Sequence, residues 1–357
     1  ERPSDCEPGS IRFNTDTANL EYFKGETLGW RQFELVNPNL GGGTGSNTGL
    51  GTRLLLAGGR VSAPAFTDTI EFVTISTLGN AQDFGNLTQS HGNGSSQGGC
   101  ASRTRGIWLS GQLGTSPNYS NVIQFVTFAS LGDATDFGDI NSARAAVGNL
   151  SNQTRAMCFG GSLSDGSKPT QIDAVTIAST GNAFDFGDMS THTNNTANLA
   201  SSTRGIMAGG TVSPTRVNTI QFVTITTSGN TVDFGDLVDH GDGASSLLYN
   251  GVGYSNSTRG IIHGGRDVNG NMNNTIQFIT IATTGNSSDF GDTAVSAMHQ
   301  MGGSSPTRGV VGAGYNPSVT NAMEFVNIMS LGNASDFGDC TARDEVLGGC
   351  SNGHGGL

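Results

Sequence analysis

The sequence predicts an all-β protein: a six-bladed β-propeller of four-stranded blades, preceded by a small N-terminal β-hairpin module. Three observations predict it. An Asp-Phe-Gly phrase recurs six times, at Asp83, Asp136, Asp185, Asp233, Asp289 and Asp336. A Thr-Arg or similar step followed by a short apolar run also recurs six times, with its arginine at Arg53, Arg105, Arg155, Arg204, Arg259 and Arg308. The two markers alternate, which gives six units of roughly 50 residues, the period of a stacked-repeat architecture. Third, the chain's last segment copies the opening strand of a unit and lacks the strands that should follow it. Composition agrees. Of 357 residues 55 are Gly and only 13% are charged, which excludes a coiled coil or a polyelectrolyte tail. Gly, Ser, Thr and Asn around short β-branched runs suit many turns joining short strands.

Residues 1–37 stand outside the repeat. The stretch "GSIRFNTDTANLEYFKGETLGWRQF" (9–33) reads as a strand over Ile11–Phe13, a polar turn over Asn14–Asn19, a strand over Leu20–Phe23, a Lys24-Gly25 turn and a strand from Trp30 to Val36. Ile11 and Phe13 alternate with polar neighbours, as a half-buried hairpin requires. So short a module cannot sustain a core alone and should lean on another subunit or protein. Residues 38–51 are glycine-rich and read as a flexible joint. The repeat domain follows, from residue 52 to residue 357.

Within the unit at 142–189, "SARAAVGNLSN" reads as a small-residue first strand and "TRAMCFGG" as an apolar second strand stopped by Gly160-Gly161. "TQIDAVTIAS" reads as the third strand and "NAFDFGDM" as the fourth. A Gly-Asn or Gly-Asp step joins the third and fourth strands in every unit, from Gly79-Asn80 to Gly332-Asn333, and predicts a two-residue hairpin turn. The tail "CTARDEVLGGCSN" (340–352) matches the first strand "INSARAAVGNLSN" (140–152). It should pair with Arg53–Gly59, complete the first blade and close the ring. The recurring Arg and recurring Asp are expected to pair, within or between blades.

The period, and the apolar strand ending in Gly-Gly, resemble kelch repeats over roughly residues 50–357. The usual later Tyr and Trp are missing, and the Phe of each Asp-Phe-Gly (Phe84, Phe137, Phe186, Phe234, Phe290 and Phe337) is expected to fill their space. Gly-Ser-Ile-Arg-Phe-Asn-Thr-Asp-Thr, then Leu-Glu-Tyr-Phe, then Trp30, is similar to short segments at the attachment ends of tailed-phage structural proteins. The Arg-Gly-apolar-Gly-Gly and Asp-Phe-Gly-Asp phrases resemble those of phages infecting marine cyanobacteria. Together these resemblances imply a non-enzymatic virion component, a tail fibre, spike or capsid decoration. Ile11, Phe13, Tyr22, Phe23 and Trp30 would form its attachment module to other virion proteins, the propeller would be displayed outward, and an oligomer is expected.

Candidate sites lie on the blades' variable loops between second and third strands, where Phe66, Tyr119 and Tyr315 offer platforms for a host-surface glycan or protein. Seven or eight residues after the Asp of most Asp-Phe-Gly phrases come His91, Arg144, His192, His240 and Arg343. These should ring the central channel near that variable face. They would either bind an anion or glycan acid or simply bond to neighbouring backbone. A single metal cannot span such a ring, because ligand bonds are only ~2 Å long. Asp267, Asn269 and Asn271 place oxygens at positions 1, 3 and 5 of a calcium-type loop, but the distal bidentate Glu is missing and a plain turn is favoured. No cofactor is implied.

The net charge of −12 with no basic stripe excludes a nucleic-acid partner, and no apolar run is long enough for membrane insertion. The chain begins at Glu1 rather than Met, which implies processing or a piece of a longer product. The five cysteines, Cys6, Cys100, Cys158, Cys340 and Cys350, match no zinc spacing, and Cys158 reads as a buried free thiol. Two other function classes remain open: a secreted carbohydrate-active propeller enzyme, and a lectin or adhesin.

Overall fold

The structure is a computed structural model that describes residues 6–14, 19–25, 27, 29–32, 51–62, 65–92, 98–114, 119–212, 214–238, 248–267 and 269–357. The chain divides into two compact units, Glu1–Asn39 and Leu40–Leu357. Among the described residues there is no helix, and small antiparallel sheets make up both units.

The first unit is a three-stranded sheet of β1 (Ile11–Asn14), β2 (Asn19–Phe23) and β3 (Trp30–Gln32), in that order. Lys24–Gly29 makes the second turn, with Gly25 at a φ of 98° that favours glycine. Residues 15–18 of the expected polar turn, and 33–36 of the expected third strand, lie outside the described residues.

The second unit holds six sheets built to one plan. Sheet three runs Gly148–Ser151, Arg155–Phe159, Gln171–Thr176 and Phe184–Asp188, each strand antiparallel to the last. Sheets four (Ala197–Ala200 to Val232–Asp236), five (Val252–Ser255 to Ser288–Asp292) and six (Met301–Ser304 to Ser335–Asp339) repeat it. Sheet two begins at Cys100–Ala101 and ends at Thr135–Asp139, with His91–Gly92 added beside its second strand. Sheet one takes its first strand from the far end of the chain. Gly348–Ser351 pairs with Arg53–Ala57, Cys350 opposite Leu55, and Thr69–Thr74 and Gln82–Asn86 follow.

The turn from first to second strand explains the Thr-Arg marker. Three residues before the Arg stands Ser102, Asn152, Ser201, Asn256 or Ser305, whose side-chain oxygen accepts the arginine's own N–H. This Asx or Ser turn closes the hairpin without a glycine. In sheet one the same cap is rebuilt from two chain ends, because Asn352 Oδ1 accepts Arg53 N–H at 2.8 Å.

The Asp-Phe-Gly phrase is a β-bulge. In sheet one Ile70 lies opposite Gly85 and Glu71 opposite Asp83, so Phe84 has no partner across the pair. The other five sheets shift register at the same place. The extra residue turns inward: all six of these phenylalanines are buried, while the Asp before each is exposed. In five sheets the bulged Phe meets a third-strand Phe edge to face, at centroid distances of 5.7–6.2 Å. Sheet three has Ala174 in that third-strand place, and its paired neighbour Phe184 supplies the missing ring.

The connection from third to fourth strand is not the expected two-residue hairpin. It spans residues 75–81 in sheet one and is a docking loop. Gly79 N–H donates to Phe337 O and Ala81 N–H to Asp339 O, both in sheet six. Asn80 Oδ1 accepts Asp339 N–H at 3.0 Å. Every boundary repeats the set: the loop glycine bonds the preceding sheet's bulged Phe carbonyl at 2.7–2.9 Å, and the Asn or Asp beside it accepts a backbone N–H at 2.9–3.1 Å. The bulge glycine sits under this loop. Gly85, Gly138, Gly187, Gly235, Gly291 and Gly338 have φ between 143° and 151°, and a Cβ there would strike the loop backbone of the next sheet.

The expected Arg–Asp pairing is also corrected. Each marker arginine donates to a main-chain carbonyl of the next sheet: Arg53 to Phe128, Arg105 to Ile177, Arg155 to Ile225, Arg204 to Ile281, Arg259 to Ile328 and Arg308 to Ile75, at 2.6–3.0 Å. Its planar cation lies over a Phe ring of its own sheet, at 4.4–4.7 Å in five of them. A carbonyl partner with an aromatic floor satisfies the guanidinium, and the exposed Asp is left to water. Both sets of bonds pass from sheet to sheet in order and link sheet six back to sheet one. The apolar core follows the same path. There are six clusters, one at each boundary, such as Leu55, Phe84, Trp108 and Phe128 between sheets one and two.

Replacing Gly235 by Ala should lower stability by about 1–3 kcal/mol in urea unfolding, from backbone strain and collision with Gly285. Gly229, with nothing within 4 Å of its would-be Cβ, should tolerate Ala to within about 0.5 kcal/mol. Equal effects at the two positions would contradict the docking-loop account.

Candidate functional site

The connectors that lead from one sheet's fourth strand into the next sheet carry the residues expected to ring a channel. They are not presented to one. His91, Arg144 and Arg343 are fully buried, and each is bound to a polar residue on the third strand of the sheet it enters. His91 Nδ1 lies 2.9 Å from Gln124 Nε2. Arg144 Nη2 pairs with Asp173 Oδ2 at 2.6 Å. Arg343 pairs with Glu71 and also donates to the Gly58 carbonyl. His192 is half-buried, its Nδ1 bonded to Pro169 O at 3.0 Å, and burial lowers its pKa. His240 lies outside the described residues.

The partner residues form a series that the sequence reading missed: Glu71, Gln124, Asp173, Gln221, Gln277 and Glu324, all buried. Most cap connector N–H groups, as Glu324 Oε2 does for Ala294 and Val295 at 2.6 and 3.0 Å. A signal was available. Each third strand carries one Glu, Gln or Asp in the middle of an apolar run, in all six copies. Burial raises the Asp173 carboxyl pKa against the opposing pull of Arg144.

The first strands adjoin one another in cyclic order and line a cavity of about 50 Å³, with Asn149, Ser151, Gly253, Gly349 and His354 among its lining residues. That holds a few waters at most. The tail covers the end near the first-to-second-strand turns. Gly355 N–H donates to Ser255 O, and Gly356 O accepts Gln153 N–H. His354 Nε2–H donates to Ala101 O at 3.0 Å. His354 lines two cavities, of about 50 and 220 Å³.

Two further buried networks are built around histidines. Tyr254 Oη meets His263 Nδ1 at 3.1 Å, and His263 Nε2 meets Glu324 Oε1 at 2.7 Å. Burial, then the Glu324 charge, push the Tyr254 pKa well above 10. His299 Nδ1 lies 2.6 Å from Asp344 Oδ1, and its Nε2 lies 3.0 Å from Asn250. Burial alone would raise the Asp344 carboxyl, but the His299 hydrogen bond and charge, with Arg60 near, hold it below the usual value. Both ring nitrogens are engaged in each histidine.

At the loops, Phe66, Tyr119 and Tyr315 are half-exposed. Phe66 is seated on Gly92, where a Cβ would collide with its ring. A further aromatic, Tyr249, carries Arg216 over its ring at 4.1 Å. At the calcium-type candidate both carboxylate oxygens of Asp267 bond Asn271, through its backbone and side-chain nitrogens at 2.8 and 3.2 Å, while Asn269 is exposed.

The N-terminal unit presents the clearest candidate surface. Register places Arg12 opposite Glu21 and Phe23 opposite Trp30 on one face, where Arg12 pairs with Glu21 at 2.9 Å and lies over Trp30. Phe23 is 4% exposed and packs on Trp30 at 5.5 Å. Phe23 and Trp30 therefore hold the unit together instead of attaching it. Ile11 and Phe13 point the other way, with Tyr22 opposite Ile11, and both are 60% exposed on the edge strand. Comparison with protein-family models and with curated proteins finds no match for this chain.

Burial lowers the His91 and His354 pKa values to about 4. The unfolded chain protonates its histidines near 6.5 and the folded chain does not. The contribution of these two histidines should therefore be level above about pH 7, fall as pH drops from about 6.5 toward 4, and flatten below. The loss due to His91 should reach on the order of 3 kcal/mol. Urea midpoints across this range should show a shallower fall for His91→Gln than for the parent.

Proposed function

We propose that the chain is a non-enzymatic structural protein of a phage virion, a tail fibre, spike or capsid decoration. Its six sheets are the blades of a six-bladed, kelch-like β-propeller, and its N-terminal unit fixes it to another virion protein. The propeller reading is supported by inter-sheet bonds that run in order and return from sheet six to sheet one, and by a first strand supplied from the tail. The attachment reading is carried by one observation: an edge strand with Ile11 and Phe13 each 60% exposed, in a unit whose other face is already satisfied. An outer strand with an exposed apolar face is a surface for burial by a partner. The phage-like strings at 9–30 and in the repeats supply the partner's class. On this reading the loops bearing Phe66, Tyr119 and Tyr315 face outward, for contact with a host-surface glycan or protein or with a neighbouring subunit.

The test is particle association. The chain should co-sediment with density-purified phage particles. Ile11→Asp combined with Phe13→Asp should abolish incorporation while leaving thermal unfolding of the second unit unchanged. Absence from particles, or turnover of a polysaccharide by the purified chain, would refute the proposal.

A further inference from the structure

One position in the docking loops departs from the repeat. The residue before the loop glycine is Leu78 in sheet one, Leu131 in sheet two and Leu331 in sheet six, but Thr180, Ser228 and Thr284 in sheets three, four and five. The three leucines are 61, 59 and 61% exposed, and Met329 beside Leu331 is 60% exposed. The loop does not need them. The glycine that follows bonds the neighbouring sheet at 2.8–2.9 Å where Leu precedes it and at 2.7–2.9 Å where Thr or Ser does. Sheets six, one and two are consecutive across the inter-sheet bonds, so the leucines form an arc on one half of the repeat domain. The chain reaches sheet one at the same end of that sheet, where Thr52 O accepts Ile75 N–H, three residues from Leu78.

We propose that this arc is a second docking surface, occupied by the same virion protein that holds the N-terminal unit; this rests on the attachment reading above. Two observations choose that occupant. The four apolar side chains expose on the order of 450 Å², well below the ~800 Å² per partner of a stable interface. A second copy of the chain would not be held by so little, whereas a partner already tethered through Ile11 and Phe13 meets the arc at high effective concentration. The flanks are acidic: Asp83, Asp133, Asp136 and Asp336 are all exposed on these three sheets. The partner surface is therefore an apolar strip bordered by Lys or Arg.

The experiment uses the full chain and particles that lack it. Leu78→Ser, Leu131→Ser and Leu331→Ser are combined, with circular dichroism and melting temperature expected to be unchanged because the side chains are exposed. Binding to the particles, measured by depletion from solution, should weaken about 10- to 100-fold, and the remaining binding should lose part of its salt dependence. If the triple variant binds as the parent does while the Ile11→Asp, Phe13→Asp variant does not, the arc is not a docking surface and the attachment reading stands. If the parent chain alone forms dimers in sedimentation that the triple variant loses, the occupant is a second copy and the proposal is wrong. If the parent fails to bind particles at all, both readings fall.

Discussion

Each boundary between sheets turns on a glycine with no room for a methyl group. The bulge in the fourth strand does three things at once. It sends a Phe into the core, leaves an Asp in water, and opens the backbone to a φ near 150° that lets the neighbouring loop lie directly on it. The loop then meets the bulged Phe carbonyl and a following N–H with its own Gly and Asn, so the edge strand is not left unpaired. Moving the loop outward by the width of a Cβ would break these bonds and part the core clusters, which lie between sheets rather than within them. The arginine on the other side of the sheet bonds the same neighbour. Relative sheet placement is thus fixed by main-chain groups, and side-chain variation around the repeat is tolerated because little of the docking depends on it.

That economy explains which substitutions between repeats are compensated. Sheet three lacks a third-strand Phe and recovers the ring from Phe184, one strand over, beneath the same arginine. Sheet five puts Tyr254 where sheets three and four have Leu150 and Leu199, and the hydroxyl is satisfied by His263 and, through it, Glu324 of sheet six. The glycine after the marker arginine, Gly309, faces the Tyr254 ring as Gly205 faces Leu150 and Gly260 faces Leu199. Burying a polar chain of this kind is tolerable only because every member has a partner. The exposed Asp of each bulge serves the opposite end: a charge on the outermost strand discourages pairing with other chains.

Much of this was legible in the sequence. Two markers in alternation set the unit, and the stray strand at 340–352 announced that sheet one would be completed from the tail, down to Asn352 standing where Asn152 and Asn256 stand in their hairpins. The failures share a cause. The arginines were matched to aspartates because both recur, but their partners are carbonyls, and carbonyls leave no trace in the letters. The Gly-Asn steps were read as hairpin turns from local chemistry, when their conformation serves a contact with the neighbouring sheet. Connector residues are assigned to an open channel by the sequence because the closeness of the first strands leaves no trace in it. The backbones approach until only glycine fits at Gly253 and Gly349, and His91, Arg144 and Arg343 are drawn into the sheets instead.

The same comparison separates structural from functional departures. A residue that breaks a repeat and is answered by a second change nearby, as Ala174 is by Phe184, restores the ring beneath the arginine and needs no partner. A residue that breaks the repeat and is answered by nothing in the molecule is different. Leu78, Leu131 and Leu331 lie in water at positions where Thr and Ser make the same loop, and Ile11 and Phe13 lie in water on the outer strand of their sheet. Apolar area held in water has an unrealised gain on burial of about 25 cal/mol per Å². Nothing within the described residues realises it. On the attachment reading proposed above, its complement belongs to another molecule, and the arc, the edge strand and the acidic flank are the features that molecule's surface would match.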